Sequence, residues 1–189
     1  RSHEMVEYLA SHVSISKVND KRGAQKPRVV LLLAPCRSGT TALSRAIAYA
    51  NVPVLYQKVK EALRLSLLDR LGEKLSQKER DYFHVNSTVS QSLSVPNHEV
   101  IFMKETFGGA HPLESFFDPL GVLLKAGWRG EDITLVTMVR EPLATFASWV
   151  KNWGHIANRK QLLQNYNYAI EAIKHSEVVA KENGVKIVP

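Results

Sequence analysis

Arg37, Ser38, Gly39, Thr40 and Thr41 are the residues whose types and spacing most clearly suggest chemistry. They follow an unbroken apolar run, Val29 to Leu33, that stops at Pro35. Such a run suits a strand buried on both faces. Beyond them Ala42, Leu43, Ala46, Ile47 and Ala50 recur at helical spacing and predict one apolar helix face. Strand, short polar loop and helix in that order make an anion cradle. Backbone N–H groups at the helix start point at the anion, and the helix dipole favours negative charge there. Gly39 lets the backbone come close.

The spacing approaches a Walker A loop, G-x-x-x-x-G-K-[ST], with Ala34 at the first glycine, Gly39 at the second and Thr41 at the hydroxyl position. Thr40 takes the place of the lysine that would neutralise the β- and γ-phosphates of a nucleoside triphosphate. The cation stands at Arg37 instead, so the loop is predicted to take an anion other than ATP. A thiol-phosphatase loop is excluded, because the arginine it needs after Cys36 is Ala42. Cys36 reads as a small buried loop residue.

The residues RSGTT resemble the 5′-phosphosulfate loop of the PAPS-dependent sulfotransferases, commonly P-[KR]-S-G-T-T, although Cys36 takes the usual proline place. A second segment, VREPLATFAS, carries Arg140 straight after an apolar strand and Ser148 further into the next helix. It resembles the R-x-P-x-x-x-x-x-S motif of that family. The resemblance implies that Arg37, Ser38, Gly39, Thr40 and Thr41 hold the 5′ end of PAPS and that Arg140 and Ser148 hold its 3′-phosphate. A guanidinium suits a phosphate because it offers a bidentate, charge-assisted grip. The implied reaction moves a sulfuryl group from PAPS to a hydroxyl or amine, leaving 3′,5′-ADP, with no metal required.

That reaction needs cations facing the leaving oxygen and a base for the acceptor. Arg37 and Lys104 are the leaving-side candidates. Lys104 falls at the end of a predicted strand, where α/β sheets place their ligands. Thr106 stands where many family members carry a histidine base, so the base stays open among Glu105, Glu61 and His111. His3, His12, His84, His98, His155 and His175 show no metal-site spacing. The family's late Arg-Lys-Gly loop has no counterpart after Arg140, and Ala42 replaces a tryptophan often found there. Two other readings stay open: a P-loop kinase or NTPase, and a nucleotide-binding module that catalyses nothing.

These residues need a frame. Further strands are predicted at Val52 to Tyr56, Val100 to Thr106, Asp132 to Val139 and Val185 to Val188. Helices are predicted at Glu4 to Val13, Gln57 to Leu71, from a Ser76–Glu79 capping box, Pro112 to Lys125 with a break at Asp118-Pro119, Pro142 to Trp153, and 159–183. Asn19 to Pro27 reads as a loop. Alternation of this kind implies an α/β fold with a P-loop-type parallel sheet and helices on both faces. One domain is expected over 1–189, its first 27 residues a helix and loop of which the opening few can be vector-derived. Lys58, Lys60 and Arg64 read as a solvated face. Residues 57–84 and 110–127 are expected to line the acceptor pocket.

Hydrophobic residues make up 44% and charged residues 23%, which is ordinary for a soluble globular domain. The net charge of +7 favours anionic ligands. Nucleic acid is not expected, since no helix-turn-helix or ribonucleoprotein motif stands out. A single cysteine excludes an intrachain disulfide. No apolar run reaches membrane-spanning length, so a cytoplasmic location is expected, with a removed signal or anchor as the alternative. The expected partner is a small-molecule, glycan or lipid acceptor.

Overall fold

The computed structural model describes residues 26–85 and 98–188. The predicted helix at Glu4 to Val13, most of the loop before Pro27, and His3 and His12 lie outside the described residues. Five strands form one sheet in the order β2-β3-β1-β4-β5, and every pairing is parallel. The strands are β1 (Arg28–Pro35), β2 (Val54–Tyr56), β3 (Val100–Phe107), β4 (Ile133–Thr137) and β5 (Lys186–Val188). The helices are α1 (Thr40–Tyr49), α2 (Lys58–Leu71), α3 (Gln77–Val85), α4 (Pro119–Lys125), α5 (Pro142–Trp153) and α6 (Arg159–Glu182). The expected α/β fold, a parallel sheet flanked by helices, is what the chain forms.

β1 is the central strand, and every residue from Leu31 to Pro35 is buried. Side chains alternate across it. Val29, Leu31 and Leu33 join Ile101 and Met103 of β3 in the main core, together with Leu63 of α2, Leu120 and Leu123 of α4, and Ile173 of α6. Leu32 and Phe102 are buried toward the other face, where α1 packs against β2 and β3. The chain leaves β1 toward one sheet edge and later returns to its other side as β4. The end of β1 is therefore the topological switch point, where α/β sheets bind ligands.

Several local expectations need correction. Within Pro112 to Lys125 the break expected at Asp118-Pro119 is present, but the part before it, Pro112–Ser115, is a 3-10 turn and only α4 is an α-helix. Asp118 divides them, accepting from the Gly121 N–H at 2.8 Å with Pro119 at the first helical position. β4 ends at Thr137, not Val139, because Val139 and Arg140 turn out to solvent. The apolar stripe of α1 is only partly covered: Leu43 and Ile47 are half-buried, Ala42, Ala46 and Ala50 are exposed, and Thr40 and Ser44 make the buried contact. Lys60 and Arg64 are not a solvated face. Both are buried, and their partners lie at the site described next. The Ser76 capping box forms as expected, with Glu79 accepting from the Ser76 N–H at 2.8 Å. Among the described residues, no helix is long and apolar enough to cross a membrane.

Candidate active site

The loop from Cys36 to Gly39 is held in an open turn by two left-handed residues. Arg37 has φ 68° and Gly39 has φ 91°. Glycine adopts that region without penalty, whereas arginine does so only where its surroundings hold it. They do so at Cys36. Its N–H donates to the Phe107 carbonyl at 2.9 Å, and its own carbonyl accepts from Trp149 Nε1 at 2.7 Å. Trp149 is fully buried and lies on α5, next to Ser148. Gly108 has φ 80° and packs directly under the Trp149 ring, leaving no room there for a side chain.

The two sequence motifs meet. Arg37 Nε donates to Ser148 Oγ at 3.1 Å, bringing the loop cation to the helix that follows Arg140. Arg140 itself is exposed. Ser38 Oγ is buried and has no hydrogen-bond partner among the described residues. Thr40 is buried, while Arg37, Gly39 and Thr41 face solvent. From the neighbouring strand, Lys104 Nζ reaches Thr41 Oγ1 at 3.2 Å and lies 5.7 Å from the centre of the Tyr56 ring. Burial pushes the Lys104 ammonium below its ordinary pKa, and the charge of Lys60 adds to this, against the pull of Cys36 and Glu105.

The three candidate bases have different surroundings. Glu105 is fully buried and accepts the Val59 N–H at 2.8 Å and the Lys60 N–H at 3.1 Å, so it anchors the start of α2. Burial pushes its carboxyl up to about 8, against the lowering effect of those two N–H groups and of Lys60. Glu61, on the first turn of α2, is half-buried. One of its oxygens, Oε2, is buried without a hydrogen bond among the described residues, and Lys58 Nζ is 3.9 Å away. Burial raises its pKa, with Lys58 and Arg64 opposing. His111 Nδ1 accepts from the Leu113 N–H at 3.2 Å, and Nε2 lies 3.6 Å from Glu79. Burial lowers the imidazole below its usual range.

Sequence reasoning missed the charged cluster behind the loop. Lys60 Nζ sits 3.1 Å from Cys36 Sγ and 2.5 Å from the Gly108 carbonyl. Glu114, fully buried, accepts from Arg64 and from Tyr82 and lies 3.6 Å from Lys60 Nζ. Burial works to raise Glu114, but Lys60, Arg64 and Tyr82 together hold it below the usual carboxylate range. Thr106, where a histidine was sought, donates to Gln57 Oε1 and lies 3.0 Å from Cys36 Sγ. One signal was available: Lys60 and Arg64 are one helical turn apart and flank the apolar stripe Val59, Leu63 and Leu67. Among the described residues no group of three metal-binding side chains gathers.

No family model matches the chain, and no curated protein matches it. Among solved structures it is similar to shikimate kinase from Bacteroides thetaiotaomicron, at 17% identity over 84% of this chain and 83% of that one, with a TM-score of 0.35. A likeness at that level bears on neither reaction nor substrate.

Proposed function

We propose that the chain transfers a sulfuryl group from PAPS to a hydroxyl or amine acceptor and releases 3′,5′-ADP. The observation that carries the reading is the 3.1 Å bond from Arg37 Nε to Ser148 Oγ, which joins the two motifs in one site. The loop suits the donor's 5′ end: Ser38 offers a buried hydroxyl with no partner among the described residues, and Gly39 leaves the backbone open to approach. Thr40 and Thr41 open α1, whose first N–H groups face the same space.

PAPS would supply the sulfuryl group and the phosphate leaving group. Arg140 and Ser148 hold the 3′-phosphate, and Arg37 and Lys104 stabilise charge that develops on the leaving oxygen. For the base we assign Glu61. Its raised pKa and an oxygen that takes no hydrogen bond among the described residues suit proton abstraction, whereas both Glu105 oxygens are taken by the start of α2 and His111 Nδ1 is taken by the turn it caps.

A P-loop kinase or NTPase would use the same loop, with the Thr41 hydroxyl on Mg²⁺. The Lys104 ammonium at 3.2 Å from that hydroxyl competes with a metal there and favours the sulfuryl reading. A thermal-shift panel of PAPS, 3′,5′-ADP, Mg·ATP and GTP tests it, since a ligand that binds the native state raises its melting temperature. Stabilisation by PAPS and 3′,5′-ADP is expected. Stabilisation by Mg·ATP alone would turn the case to the kinase.

A further inference from the structure

Lys60 is fully buried, and no carboxylate among the described residues pairs with its ammonium alone. Glu114 is the nearest acid to its ammonium, at 3.6 Å, and is shared with Arg64, whose guanidinium makes the closer contact. Glu105 accepts the Lys60 backbone N–H and feels its ammonium through space, but both its oxygens serve the start of α2 and burial pushes its carboxyl up to about 8, so it is a weak counter-charge. The third cation nearby, Lys104, adds to the excess. Among the described residues these two buried cations, Lys60 and Arg64, therefore share one fully buried acid, and the cluster carries an excess of positive charge that the half-buried Glu61 beside Arg64 offsets only in part. A buried charge without a partner is costly. This one lies 3.1 Å from the side chain of Cys36, the residue that opens the loop. Its second contact, Gly108, packs against Trp149, which in turn holds the Cys36 carbonyl.

We propose that Lys60 is a positioning residue of the anion loop that also supplies it with fixed charge, and that the bound anion is the counter-charge its ammonium lacks. The inference rests on the loop being an anion site, the coarser half of the reading above. It does not depend on which anion binds. Lys60 touches no ligand. It acts through Cys36 and Gly108 on the turn that carries Arg37, and through space on the anion. Low solvent access leaves that second effect less screened by salt than a surface lysine's would be. Glu114 keeps Arg64 and Tyr82 when Lys60 is neutralised, so the fold has little to lose.

The test is isothermal titration of inorganic pyrophosphate and of 3′,5′-ADP into wild type, Lys60→Met and Lys60→Gln, with melting curves of each ligand-free protein. Both variants should melt no lower than wild type and bind both anions about tenfold more weakly, as expected for one lost charge in a partly screened interior. The glutamine keeps a donor for the Gly108 carbonyl but carries no charge. Wild-type affinity in Lys60→Gln would therefore overturn the inference, and so would a lower melting temperature with unchanged affinity. Failure of both variants to fold would make Lys60 structural and overturn it too. A wild type that binds pyrophosphate but does not prefer 3′,5′-ADP over 5′-AMP would sink the sulfuryl-donor reading and leave Lys60 to be judged on pyrophosphate. Binding of neither anion would overturn both.

Discussion

Lys104 Nζ lies 3.2 Å from Thr41 Oγ1, so the cation missing from the loop sequence at Thr40 is delivered by the neighbouring strand. The pairing of Leu32 with Lys104 and of Ala34 with Thr106 sets that reach, because it fixes how far β3 extends beside the loop. A lysine carried on a strand is held by the sheet, and in the proposed transfer it would be a rigid donor for developing charge.

Lys104→Ala should therefore reduce turnover far more than PAPS affinity. Single-turnover kinetics beside equilibrium binding would separate the two. Equal losses in both would make Lys104 a binding residue, and no loss in either would remove it from the site.

Arg37→Ala removes the loop's own cation and its bond to Ser148. Loss of a charged donor of this type costs about 100- to 1,000-fold in rate. Steady-state assay with PAPS should show that loss. Unchanged turnover and unchanged nucleotide affinity would exclude Arg37 from the chemistry.

Glu61→Gln should lower turnover while PAPS binding stays near wild type. Since burial raises the Glu61 pKa, the acidic limb of the wild-type rate profile should lie above the ordinary carboxylate range. A variant that keeps the wild-type rate and profile would return the base to Glu105 or His111.

Glu105 makes stability depend on pH. Burial pushes its carboxyl up to about 8 in the folded chain, against 4.5 as the ordinary value, so between those values the native state holds a proton that the unfolded state has released. Its contribution is fully present below about 4.5 and is lost as pH rises toward 8. Urea unfolding across that range should show a fall with pH that Glu105→Gln flattens. Parallel curves for the two proteins would contradict the assignment.

Local features of the site were legible in the sequence. The RSGTT loop, its flanking strand and helix, the Ser76 cap and the strand that carries Lys104 each depend on a few neighbouring residues. What the sequence hid depends on packing between distant segments. Lys60 and Arg64 read as surface cations until Glu114, far along the chain, is placed against them. The α1 stripe looks like a core face, yet Ala42, Ala46 and Ala50 stay exposed, because hydrophobic spacing does not say which side another element covers. The Trp149 contact that fixes the Cys36 carbonyl has no local signature at all.

The central claim is recognition of the 3′-phosphate, and the nucleotide pair that differs in it alone tests that most directly. Isothermal titration should show wild type preferring 3′,5′-ADP over 5′-AMP. A charge-assisted hydrogen bond contributes about 1.5–3 kcal/mol, so Arg140 alone supplies roughly ten- to a hundredfold. Arg140→Ala should erase most of the preference and leave 5′-AMP binding nearly unchanged, and Ser148→Ala should do so more weakly. Equal affinity of folded wild type for the two nucleotides would contradict the account.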